Sequence, residues 1–138
     1  MRVVLDTNVL ISSFLTSAGN PSRILRLILQ GDLEIAINEQ ILAEYTEVAS
    51  RPIFRLDREK VRIVLDYLRS AAIHAPSLPV VPSLPDHGDE PFLEAVLSTK
   101  SDFLITGNKK RYPARLFKNV TVVTPAEFLR KLAASTEV

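Results

Sequence analysis

Residues 3–11 read Val-Val-Leu-Asp-Thr-Asn-Val-Leu-Ile, an apolar run broken in its middle by an acid, a hydroxyl and an amide. This stretch constrains the fold more than any other. Arg2-Val3-Val4-Leu5 is a short β-branched run with no polar alternation, as expected of a strand buried on both faces of a parallel sheet. From Asn8 onward the apolar spacing turns helical. A buried strand that passes directly into a helix across Asp6 is the opening of an α/β unit.

The rest of the chain repeats this alternation. Asn20-Pro21 reads as a helix start, with Asn20 as N-cap and Pro21 in the first turn. Ile24, Leu25, Leu27 and Ile28 give its apolar face, and Gly31 its end. Leu33–Ile37 reads as a second strand. Asn38 can cap a third helix with Ile41, Leu42, Tyr45, Val48 and Ala49 at helical spacing, closed by Arg51-Pro52. Asp57 can cap a fourth, and residues 72–75 form a short strand or edge. Residues 76–91 hold five of the nine prolines and an echo, Ser-Leu-Pro, at 77–79 and 83–85, which marks a loop. Helix returns at Asp89. Phe103–Thr106 and Val120–Val123 read as strands, and Thr124-Pro125-Ala126-Glu127 is a capping box before a last helix. The expected fold is a three-layer α/β/α sandwich with a central, mainly parallel sheet. It is read as one domain over 1–138, with its core in about 1–130 and a short C-terminal tail.

Composition narrows the class. The apolar fraction of 46% is that of a globular domain. There is no cysteine, which removes disulfides and thiolate metal sites and fits a cytoplasmic location. Asp6 and Asn8 interrupt the N-terminal apolar run before a secretory signal could form, and no stretch approaches a membrane span. Seventeen basic and sixteen acidic residues nearly cancel, so only the distribution of charge carries information.

In open α/β sheets ligands bind beyond the carboxyl ends of the strands. Asp6 lies just past the first strand and Asn108 just past Phe103–Thr106. Asp89 stands where a helix is entered from a loop, and Glu44 borders the apolar face of the third helix. Acids gathered at one place repel and are costly to desolvate, and a divalent cation relieves both. Oxygen-only donors select Mg²⁺ or Mn²⁺, and a pair of such ions is a known device for phosphodiester hydrolysis. Each residue also has a purely structural reading: Asp6 and Asp89 as N-caps, Glu44 as a solvated helix charge, Asn108 as a turn residue. Asp86, His87 and His74 read as loop or strand residues. Residues 109–118, Lys-Lys-Arg-Tyr-Pro-Ala-Arg-Leu-Phe-Lys, carry five basic side chains and no acid, with Tyr112 and Phe117 interleaved. Such a segment is either a solvated loop or a surface where Lys109, Lys110 and Arg111 hold phosphates and the aromatics stack unpaired bases.

Four stretches together resemble the PIN-domain family, in its VapC-like toxin branch from type II toxin–antitoxin systems. They are Val3–Ile11, Ile41–Pro52 (ILAEYTEVASRP), Asp89–Lys109 (DEPFLEAVLSTKSDFLITGNK) and Val122–Leu129 (VVTPAEFL), in the family's order. The resemblance implies a Mg²⁺- or Mn²⁺-dependent endoribonuclease acting on single-stranded or loop RNA. It implies Asp6, Glu44 and Asp89 as catalytic metal ligands, with Thr7, Asn8 and Thr106 in support. Its partners would be RNA and a cognate antitoxin protein, and a homodimer is compatible with it. The chain departs from the pattern at Asn108, where many members carry a fourth Asp. Asn108 and Glu90 are then further candidate ligands, and the alternative is a catalytically weak PIN-like module that binds RNA or protein. Other α/β classes fit less well. A haloacid-dehalogenase-type phosphatase would need an acid where Asn8 stands, and a dinucleotide binder would need glycines in the first turn.

Overall fold

The computed structural model describes residues 1–114 and 118–136, with the side chain of Thr136 excluded. Phe117 therefore lies outside the described residues. Among the described residues five strands alternate with six helices: β1 (Arg2–Leu5), α1 (Thr7–Leu15), α2 (Asn20–Leu29), β2 (Glu34–Ile37), α3 (Glu39–Ala49), α4 (Arg58–Ala71), β3 (Ile73–His74), α5 (Glu90–Thr99), β4 (Phe103–Ile105), β5 (Val122–Val123) and α6 (Pro125–Thr136). Short 3₁₀ turns at Pro52–Phe54, His87–Asp89 and Lys109–Arg111 join them. The architecture is the three-layer α/β/α sandwich that the alternation predicts.

The sheet is parallel throughout, in the order β3-β2-β1-β4-β5. The chain lays down β1, β2 and β3 in one direction, then crosses back to place β4 and β5 on the other side of β1. The order therefore reverses between β1 and β4, where Val3, Val4 and Leu5 sit opposite Phe103, Leu104 and Ile105. Such a switch point opens a crevice at the carboxyl ends of the two strands, because their connections leave in opposite directions. Val3, Val4 and Leu5 are buried, and so are Ile35, Ala36, Ile37, Leu104 and Ile105. That explains why these strands lack polar alternation.

Helix termini follow the sequence signals closely. Asn38 accepts from the Ile41 N–H and Asp57 from the Glu59 N–H. Thr124 and Glu127 close a reciprocal capping box, in which Glu127 Oε1 accepts from the Thr124 N–H and Thr124 Oγ1 from the Glu127 N–H. Gly31 follows α2 at φ 81°, a conformation that suits glycine. The start of α2 differs from expectation: Gly19 occupies the cap position, Asn20 is already helical, and no side chain caps it. The Ser-Leu-Pro echo acquires a structural meaning. The Leu78 N–H donates to Glu94 and the Leu84 N–H to Glu90, so two acids one helical turn apart on α5 pin the two halves of the proline-rich loop. Among the described residues, no helix is long and apolar enough to cross a membrane.

Candidate active site

The residue immediately after β1 is Asp6, and the residue immediately after β4 is Thr106. Both are buried at the switch point. Asp6 is 1% exposed. Its Oδ1 accepts from the Thr7 N–H at 2.9 Å, and its Oδ2 accepts from the Thr106 hydroxyl at 2.7 Å. The carboxylate is therefore aimed by the first turn of α1 and by β4 together. The Asp6 N–H donates to the Ile105 carbonyl at 2.9 Å, which locks the two strand ends in register.

Asp89 arrives from the other side, at the end of the 3₁₀ turn that leads into α5. It holds the cap position of α5 yet makes no side-chain cap bond. Its capping reading is thus not realised. The carboxylate is 4% exposed, and its Oδ2 has no hydrogen-bond partner. Burial pushes its pKa up to about 6, with neighbouring Asp6, Asp86 and Glu44 adding to the rise and Arg111 opposing it. A buried acid left unsatisfied at the end of a sheet is an arrangement that a purely structural residue would avoid.

Arg111 stands between the two acids. Its Nη1 lies 3.6 Å from Asp6 Oδ2, and its Nε lies 3.5 Å from Asp89 Oδ2. These are ion-pair separations, too long for good hydrogen bonds. The guanidinium offsets part of the pair's negative charge without hydrogen-bonding either acid. The Tyr112 hydroxyl is buried nearby without a hydrogen-bond partner, and burial together with Asp6 and Asp89 keeps it protonated.

Glu44 lies next door. It accepts a short hydrogen bond from the Thr7 hydroxyl, so α3 is tied to the first turn of α1. Thr7 thus supports Glu44 through its side chain and Asp6 through its backbone. Asn8 accepts from the Gly107 N–H at 3.2 Å. A Cβ at residue 107 would come within 3.3 Å of the Asn8 amide, so this close approach of α1 to the β4 loop favours glycine.

Several expected roles change. Glu90 turns away from the acids: it accepts from the Leu84 N–H and pairs with the His87 ring. Asn108 is exposed and spends its side-chain oxygen on the Lys110 N–H, capping the turn at 109–111. Lys109 pairs with Glu127 of α6. Tyr112, expected to stack bases, is only 2% exposed and cannot. Of the three basic residues in that turn, Arg111 reaches the acids. Its inward direction could not be read from the sequence, because a basic run looks the same whether it faces solvent or a pocket.

The donor set fits a hard divalent cation in one respect: Asp6 and Asp89 are buried oxygen donors, and Asp89 Oδ2 is an orphan. Among the described residues, however, no three Asp, Glu, His or Cys side chains are gathered into a ready cation cage. Arg111 occupies the space between the two acids.

The PIN domain family model matches residues 2–110. The chain belongs to the PIN domain family. Among solved structures it is similar to VapBC2 from Rickettsia felis, bound to a DNA fragment from its promoter. The identity is 18% over 90% of this chain and 98% of that one, with a TM-score of 0.56. At that identity the likeness shows the shared fold. No curated protein gave a significant match. The matched residues span Asp6, Glu44, Asp89 and Thr106, and they end at Lys110, one residue before Arg111.

Proposed function

We propose that this PIN domain is a metal-dependent endoribonuclease and the toxin of a toxin–antitoxin pair, with Asp6 and Asp89 as the principal holders of Mg²⁺ or Mn²⁺ and Glu44 as the adjoining acid. The observation that carries the reading is the buried Asp6–Asp89 pair at the β1/β4 switch point, with one carboxylate oxygen left unsatisfied. When bound, such a cation supplies Lewis acidity toward water and the scissile phosphate. Thr106 and the Thr7 N–H hold the Asp6 carboxylate in one orientation. Thr7 holds Glu44 at the rim. Arg111, released from the acids, is placed to meet a phosphate oxygen at the same spot, where its planar fork suits bidentate contact.

Single-stranded or loop RNA is the favoured substrate, because an unpaired strand can bring its phosphates to buried acids at the end of a sheet. The antitoxin partner rests on the family and on the VapBC2 likeness. Exposed Leu29 on α2 and Ile63 on α4 leave apolar surface for such a partner or for a second copy of the chain. Incubation with unstructured RNA and Mn²⁺ tests the reading. Cleavage by the parent, lost in Asp6→Asn and Asp89→Asn, is the expected result, and equal cleavage by all three would refute it.

A second reading has its own support. Arg111 already pairs with both acids, and Asn108 places an amide where many members of the family carry an acid. A domain locked in that state would bind RNA or protein without cutting. Metal-independent RNA binding with no turnover in Mn²⁺ would favour it.

A further inference from the structure

A groove of about 370 Å³ runs outward from the acids between α1 and α3. Its inner end is formed by Thr7, Glu44 and Arg111, the residues that frame the acid site. Asn8, Ile11 and Leu15 line one wall at helical spacing, and Glu44, Val48 and Arg51 line the other. From Thr7 to Leu15 the α1 wall is about 12 Å long. Phe54, half-buried on the 3₁₀ turn Pro52–Phe54, also lines the groove. We propose that this groove is a nucleotide subsite of the nuclease, in which an unpaired base beside the scissile phosphate stacks on Phe54 while Arg51 meets the flanking phosphate. The proposal rests on the nuclease reading above and specifies where its substrate lies.

Three observations support it. The first is continuity: Arg111 and Thr7 belong to both the acid site and the groove, so a strand whose phosphate reaches the acids continues into it. The second is charge. Phe54 shares the groove with Arg51, which is paired with Glu47, and with Arg111 and Glu44 at the inner end, and further arginines at 55 and 58 follow it in the chain. A basic surface with an aromatic platform suits single-stranded nucleic acid, because every base has a π-face and every linkage a charge. A protein segment chosen for an apolar groove would gain nothing from that charge unless it were acidic. The third is that the platform is held in place. Phe54 N–H donates to the Arg51 carbonyl and Arg55 N–H to the Pro52 carbonyl. Arg55 adopts φ 49°, a left-handed conformation that costs energy in a non-glycine residue and persists where its surroundings require it. Arg51 is itself oriented by a two-bond contact with Glu47, at 3.1 and 2.8 Å.

The test is binding of a fluorescein-labelled single-stranded RNA 12-mer in EDTA, followed by anisotropy, alongside cleavage of the same RNA in Mn²⁺. Phe54→Ala is expected to weaken binding by about 5- to 100-fold, the range of one lost base–aromatic stack. Phe54→Tyr keeps the platform and is expected to stay within about twofold of the parent. Phe54→Leu keeps apolar bulk without a π-face and should behave like Phe54→Ala, which separates stacking from loss of fold. If Phe54→Ala and Phe54→Leu bind as tightly as a parent that cleaves, the subsite is overturned and the nuclease reading stands. The same outcome would leave the groove to a protein partner. If the parent neither binds nor cleaves the RNA, the nuclease reading fails and the subsite with it.

Discussion

Asp6 and Asn38 occupy equivalent places. Each is the first residue after a parallel strand, each caps the helix that follows, and each is held by a contact with a distant segment. Asn38 is fully used: its oxygen accepts from the Ile41 N–H and its amide donates to the Pro91 carbonyl at 3.0 Å. A neutral side chain does all that this turn needs. Asp6 does the same local work with a charge that the cap does not require. That charge is buried 3.6 Å from an arginine and close enough to Asp89 to raise its pKa. One strand–helix turn needs only a neutral cap, whereas the other buries a charge that capping does not use, and the proposed nuclease reading rests on that difference.

Exchanging the two side chains separates capping from charge. Asp6→Asn keeps an oxygen for the Thr7 N–H and removes the charge. RNA cleavage in Mn²⁺ should fall by more than about 100-fold, as expected on removing a metal donor. Asn38→Asp keeps the oxygen for the Ile41 N–H but sets a carboxylate against the Pro91 carbonyl, so it should cost stability while leaving cleavage per folded molecule close to that of the parent. Equal losses in both variants would mean that the two turns do not differ in function.

The next effect is on stability. The Asp89 carboxyl titrates near 6 in the folded chain against an ordinary 3.8. The folded state therefore holds this proton over a range where the unfolded chain has released it. Stability contributed by the group is full below about 3.8 and is lost as pH rises through about 6. In metal-free buffer the parent should lose up to about 3 kcal/mol between those values relative to Asp89→Asn, which cannot titrate. Urea unfolding in EDTA from pH 4 to 7.5 measures this, and parallel pH profiles for the two proteins would contradict it. Nothing comparable is expected at Asn38.

A smaller effect concerns Arg111. Replacing it with alanine removes the competing cation, so Mn²⁺ affinity measured by calorimetry should rise by about tenfold, or about 1.4 kcal/mol. Unchanged affinity would mean that Arg111 does not compete with the metal. Smallest is Asn38→Ala, which should cost about 1 kcal/mol of unfolding free energy and leave Mn²⁺ binding as it was.

The same pair of turns shows how much was legible beforehand. The strand–helix alternation, the caps at Asn38 and Asp57 and the box at Thr124–Glu127 depend on neighbours within four residues, so local sequence carries them. Placing Asp6 at the carboxyl edge of a buried strand needed only the break in an apolar run. Gly19, not Asn20, caps α2, because the helix begins one residue earlier than Pro21 suggested. Glu90 illustrates the limit: it adjoins Asp89 in sequence, yet helical rotation sends the two side chains to different places. Tyr112 and Arg111 are adjacent in a basic run, and tertiary packing buries the first and turns the second onto the acids. Phe54 carried no local signal, because the role proposed for it depends on the groove it lines with α1 and α3.

Whether Asp6 and Asp89 together hold a divalent cation is read from a calorimetric titration of Mn²⁺ into the metal-free protein. The account predicts a saturable site in the parent that is lost in both Asp6→Asn and Asp89→Asn, with the folded circular dichroism spectrum retained. Uptake of Mn²⁺ by both variants with the parent's affinity, or no uptake by the parent, would contradict it.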